Sequence, residues 1–181
     1  MQFNLVEATQ ILQGTPAVLT EMLRGVPDGW LRATEGGGTW SCYDIVGHLI
    51  HGELTDWIPR AKLILEQGAA RPFEPFDRFA QFREDQSRPI STLLEQFAFL
   101  RSGNLAILQG FRLTNEDLVR QGLHPELGTV TLGQLLSSWV VHDQSHIAQI
   151  ARVIAKQYAR EVGPWKAYLS LLSQEPRLEL S

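Results

Sequence analysis

Residues 131–158 read TLGQLLSSWVVHDQSHIAQIARVIAKQY, and this stretch decides the fold. After Gly133 it holds no Gly or Pro. Its apolar residues recur at three- and four-residue spacing for about seven turns, the pattern of one long helix lying in a core. At about 100° per residue, Leu135, Trp139, His142, His146 and Val153 fall within roughly 60° of one another. His142 and His146 therefore belong to the buried stripe. Residues four apart on a helix are neighbours, so both imidazoles can reach one point.

A buried imidazole needs a partner for each ring nitrogen or remains an unsatisfied polar group. A shared divalent cation removes that cost for two histidines at once. Two core histidines, each bonded to a carbonyl or carboxylate, are the competing reading, and HxxxH alone does not decide between them. Asp143, not Glu, follows the first histidine, so the HExxH metalloprotease pattern with its general-base Glu is absent. A third ligand must come from elsewhere in the chain.

The chain has 181 residues and a formal charge of −4. That length fits one domain, expected over residues 1–181, with a core large enough to need no covalent staples. Mild acidity offers no footprint for nucleic acid or an anionic membrane surface. No cationic stretch leads into an apolar run at the start, and no apolar segment approaches bilayer length. The one cysteine, Cys42, excludes an internal disulfide and agrees with a reducing compartment. The expectation is a soluble, cytoplasmic protein.

Apolar residues at 5, 8, 12, 19 and 23 predict a first helix, with a kink or a fresh start capped by Thr15 at Gly14-Thr15-Pro16. Glycine-rich loops follow to Thr39. Ser41 with Asp44 three residues on has capping-box spacing and opens a second helix that ends at Gly68. Pro59 lies inside it and predicts a bend near Thr55. His48 lies on the face of Ile45, Gly52 and Thr55, and is the candidate third ligand. Gly52 would let another helix approach. His51 points about 60° aside and competes with it. Residues 71–89 form a long crossover whose four phenylalanines predict packing on the bundle, with a helical turn within 76–82. A third helix runs from Ser91 to Leu108. His124 precedes proline and reads as a loop residue. A short terminal helix covers Trp165 to Leu172. No strand is expected. The fold class is all-α: a four-helix bundle with a long crossover between the second and third helices.

Trp40-Ser41, Gly47-His48-Leu49, the segment His124 to Leu132 and the late His142-Asp143-Gln144-Ser145-His146 come in an order and spacing that resemble the DinB-like (DinB/YfiT-like) superfamily. The resemblance covers most of the chain, from the first helix to Trp165. It implies a four-helix bundle with an unusual crossover, often dimeric, holding one divalent metal ion on His48, His142 and His146. Family members include thiol-dependent transferases, a mycothiol-dependent isomerase and proposed metal-dependent hydrolases.

Three neutral imidazoles leave a cation's charge uncompensated and leave positions open for water or a substrate atom. Zinc and nickel both suit such ligands. The expectation is an enzyme acting on a small-molecule substrate: a hydrolase, or a transferase with a low-molecular-weight thiol as cosubstrate. It works as a homodimer with no nucleic-acid or membrane partner. Aromatic residues beyond the core's need, such as Trp57 and Trp165, support the dimer. The alternative is a non-catalytic metal-binding or stress-induced scaffold. Asp143, Gln144, Gln149 and Arg101 are candidates for an acid, base or anion anchor, though each reads more readily as a surface or capping group. Cys42 in a first helical turn reads as a small buried residue, not a nucleophile.

Overall fold

The structure, a computed structural model, describes residues 3–173. In chain order the elements are α1 (Leu5–Leu23), α2 (Asp28–Leu31), α3 (Cys42–Thr55), α4 (Trp57–Gln67), α5 (Ile90–Gly110) and α6 (Asn115–Leu118). A hairpin of β1 (Gln121–His124) and β2 (Gly128–Thr131) leads into α7 (Leu132–Lys156), and α8 (Ser170–Ser173) follows a 3-10 turn over Gly163–Tyr168. The four bundle positions are taken by α1, the α3–α4 pair, α5 and α7. None of the described helices is long and apolar enough to cross a membrane.

Local chemistry sets the boundaries. Asn4 caps α1 by accepting from the Val6 and Glu7 amides. Ser41 with Asp44 and Thr131 with Gln134 form reciprocal capping boxes at the starts of α3 and α7. Gly68 ends α4 at a positive φ of 60°, which glycine adopts without strain. The expected bend is a break: α3 stops at Thr55 and α4 restarts after Asp56, because Pro59 has no N–H to give the Thr55 carbonyl.

Proline acts differently in α1, which runs unbroken through Pro16. Thr15 does not cap a new helix; its hydroxyl donates back to the Ile11 carbonyl. The carbonyl orphaned by Pro16 is that of Leu12, and the Arg101 guanidinium of α5 donates to it at 2.9 Å.

The hairpin corrects the all-helical expectation at one place. Gln121 pairs with Thr131 and His124 with Gly128, and Gly128 turns at φ 74°. Each strand has four residues, too few for alternation to register in sequence. Phe73 in the crossover donates its amide to the Leu123 carbonyl at 2.9 Å, which ties the crossover to the hairpin. Of the four crossover phenylalanines, Phe73 is buried and Phe76 partly so, whereas Phe79 and Phe82 are exposed. The helical turn there is a 3-10 turn over Ala80–Arg83.

The apolar core is in two parts. One gathers Leu19, Trp40, Ile45, Leu49, Phe97 and Val153; the other gathers Leu12, Trp57, Ile64, Leu108, Leu132 and Trp139. Between them lies a polar layer built from α1, α3, α5 and α7. Arg101 (α5) meets Glu53 (α3) at 2.8 Å and Asp143 (α7) at 2.6 Å, and all three side chains are essentially sealed from solvent. With the Leu12 carbonyl of α1, every guanidinium N–H has an acceptor. Trp139 Nε1 and Asn104 Nδ2 donate to the two oxygens of Glu53.

Candidate metal centre

The break between α3 and α4 and the long face of α7 leave a cleft of about 710 Å³, roofed by Phe76 and Arg78 of the crossover. Three imidazoles stand together in its wall. His48 comes from α3, and His142 and His146 come one turn apart from α7. His142 Nε2 lies 3.2 Å from Nε2 of His48 and 3.2 Å from Nε2 of His146. One ligand atom from each histidine falls within a 4.8 Å group.

Two of these spacings match what a small cation imposes. At the usual zinc–nitrogen distance, the edge of a tetrahedron of ligands is about 3.3 Å. Hydrogen bonding alone cannot account for three Nε2 atoms meeting, because the lone pair of one ring can accept well from only one neighbour. His146 Nδ1 also lies 2.8 Å from Gln149 Oε1. Donation to that oxygen fixes the proton on Nδ1 and leaves the Nε2 lone pair facing the cluster. The buried Nδ1 atoms of His48 and His142 find no protein partner. Their rings are held by packing instead: Trp40 and Phe76 lie 4.7 and 5.3 Å from His48, and Trp57 lies 5.1 Å from His142.

Electrostatics keep His48 and His142 neutral. Burial, aided by His146, His142 and Arg78, pushes the His48 pKa down to about 2. Burial, with His146 and Arg101, also holds His142 well below the ordinary imidazole range. At neutral pH both rings are in the ligating form.

His51 is not in the cluster. It turns away beside Thr55, with its ring 5.0 Å from Phe76. His124 reaches the edge of the cleft, but its Nδ1 accepts from the Glu126 and Leu127 amides at 3.1 and 3.2 Å, so the ring closes the hairpin turn. The space at Gly52 is filled not by another helix but by the Trp57 indole, whose Nε1 would sit 3.4 Å from an added Cβ.

Arg101 and Asp143 are corrected from surface groups to the buried polar layer. Gln144 is exposed. Gln149 is buried against His146. Sequence reading missed Glu53 and Asn104. The available signals were Trp139 and Asp143 one turn apart on the core stripe, and an orphan carbonyl at Leu12. The Cys42 thiol is fully buried, and desolvation pushes its pKa up to about 12, so it is no nucleophile.

A four-helix bundle with three converging imidazoles in an interhelical cleft defines a class of metal-site proteins. The model of the DinB superfamily matches residues 11–150, and the chain belongs to that superfamily. YfiT of Bacillus subtilis (strain 168) is 27% identical over 147 residues, covering 80% of each chain. The solved structure of YfiT from Bacillus subtilis superposes with a TM-score of 0.73 at 26% identity, over 84% of this chain and 86% of that one. YfiT is described there as "a probable metal-dependent hydrolase with an unusual four-helix bundle topology".

Proposed function

We propose that His48, His142 and His146 hold one divalent cation, zinc or nickel, and that the protein is a metal-dependent hydrolase. The observation that carries this is the meeting of three Nε2 atoms in the wall of an open cleft. A divalent cation on such ligands acidifies a coordinated water to near neutrality and polarises a substrate oxygen. Gln149 holds His146 in the ligating tautomer. Among the described residues lining the cleft, Asp56 is the one carboxylate. Burial outweighs the opposing pull of Arg60 and raises its pKa to about 6, so at pH 7 its oxygen can take up a proton released by attacking water. Trp40, Phe76 and Val141 supply apolar wall against which a substrate body can rest.

The cleft volume favours one second reading. About 710 Å³ has room for two reactants, so transfer to a low-molecular-weight thiol is the alternative use of the same centre. The assembly proposed is a homodimer. Trp57 gives it no support, being buried against Trp139, but Trp165 and Tyr168 remain widely exposed.

The test compares hydrolysis of p-nitrophenyl acetate with conjugation of glutathione to an aryl halide, using zinc-loaded, chelator-stripped and His142→Ala protein. Turnover of the ester that disappears with stripping and returns with zinc supports the hydrolase. Conjugation with the same metal dependence supports the transferase. Rates unchanged by stripping would remove both.

A further inference from the structure

Besides the three histidines, the cleft is lined by Arg60 of α4 and His124 of β1. One buried ring holds these two groups to the same part of the wall. Arg60 Cζ lies over the Phe73 ring, 5.1 Å from its centroid, and the His124 ring meets Phe73 edge-on at 6.1 Å. The Arg60 charge is also felt by the His124 imidazole.

His124 does more than close the hairpin turn. Its Nδ1 accepts from the Glu126 and Leu127 amides at 3.1 and 3.2 Å. A ring nitrogen that accepts carries no proton, so the proton of the neutral imidazole sits on Nε2. Burial, helped by Arg60, lowers the His124 pKa, which keeps a second proton off the ring at neutral pH. The turn therefore fixes His124 as an N–H donor, and its Nε2 bonds to no described residue.

Arg60 is only 9% exposed. Its Nε lies 2.7 Å from Asp56 Oδ1, and its Nη2 donates to the Glu74 carbonyl at 3.3 Å. Its Nη1 donates to no described residue. Two N–H donors, braced by α4 and by the hairpin, thus stand at the cleft without a protein acceptor. Leaving such donors unmet in a desolvated space costs free energy. Asp56 already answers the Arg60 charge, so what the pair calls for is an oxygen acceptor.

We propose that Arg60 Nη1 and His124 Nε2 form a donor pair that receives a carbonyl-type oxygen of the substrate, from an ester, an amide or a carboxylate. This rests on the cleft being the substrate site, as under Proposed function. Both are binding residues and leave the metal ligands untouched.

The test uses metal-free protein and three probes with one apolar body: benzamide, benzoate and toluene, which has no acceptor. Nitrogen-15 NMR reads the His124 tautomer, assigned by the imidazole signal missing from His124→Asn. Calorimetric titration is run on wild type, His124→Asn and Arg60→Lys, with helicity measured on each. An asparagine oxygen can still take the turn amides, but nothing remains at the Nε2 position. The ring proton is expected on Nε2, with a signal that moves on adding benzamide or benzoate and not toluene. At least one oxygen-bearing probe should bind about threefold or more tighter than toluene, and the tighter one tells neutral carbonyl from carboxylate. Both variants should lose most of that advantage. A proton found on Nδ1, oxygen-bearing probes no tighter than toluene, or an undiminished advantage in His124→Asn would each overturn the proposal. Wild type that takes up no zinc would instead sink the metal reading, and the metal-free titrations would still decide this one.

Discussion

Replacing Arg101 by Leu removes the centre of the polar layer while leaving the two apolar clusters in place. The guanidinium now makes five hydrogen bonds: two to Glu53, two to Asp143 and one to the Leu12 carbonyl. Arg101 is 1% exposed and Asp143 is fully buried, so water cannot replace the lost partner without opening the bundle. Breaking a buried ion pair by deleting one side costs about 3–5 kcal/mol, and here two carboxylates and a carbonyl are stranded together. With a urea m-value of about 2–3 kcal/mol/M for a domain of this size, the unfolding midpoint should fall by about 1–2 M. The same change made together with Glu53→Leu and Asp143→Leu should recover at least half of the loss, because no buried charge is then left unpaired. Urea titrations of metal-free protein followed by circular dichroism read both variants. A midpoint shift below about 0.5 M for Arg101→Leu would refute the claim that this layer is sealed and fully paired.

Gln149→Ala should weaken zinc binding about 10–100-fold in a competition titration with a chromophoric chelator, since His146 loses the acceptor that sets its tautomer; unchanged affinity would deny Gln149 that role. Gly122→Ala should cost about 1–3 kcal/mol, because the new Cβ would lie 2.7 Å from Ile64 Cγ1 and 2.8 Å from Phe73 Cζ. Scanning calorimetry would show a lower Tm, and an unaltered Tm would mean the crossover is not pinned to the hairpin there. The pH dependence follows from His48 and His142, whose folded pKa values lie below their unfolded ones. The unfolded chain then binds more protons as pH drops through about 6.5, so their contribution is present above that pH and is lost below it. Metal-free protein should lose about 1.4 kcal/mol per pH unit for each such histidine between roughly pH 6 and 5. The slope should shrink in His48→Ala, and a wild-type stability that is flat over that window would contradict neutral burial.

What could be read from sequence is what repeats locally. The α7 stripe placed His142 and His146 together because 3.6 residues per turn fixes the angle between them. Ser41 with Asp44, Gly68 and Pro59 marked the limits and the break of the second helix through backbone chemistry alone. The facial angle also separated His48 from His51. What could not be read depends on chain segments meeting. Arg101 and Asp143 lie 42 residues apart, and each resembles a surface charge until α5 and α7 enclose both. Pro16 announced a missing donor, but not that Arg101, 89 residues from Leu12, would supply one. Trp57 passed for a surplus aromatic because its stacking partner Trp139 belongs to a distant helix. The hairpin of Gln121–His124 and Gly128–Thr131 is held as much by the crossover residues Pro72 and Phe73 as by its own pattern.

The measurement that tests the central claim most directly is metal stoichiometry. Protein made without a histidine tag is equilibrated with zinc, freed of loosely held ions and analysed by mass spectrometry for metal per chain. The set is wild type and the single alanine substitutions of His48, His142, His146, His51 and His124. The account predicts about one zinc per chain for wild type, His51→Ala and His124→Ala, with near-complete loss for the other three and helicity retained throughout. Full zinc in His48→Ala with loss in His51→Ala, or full zinc in every variant, would contradict it.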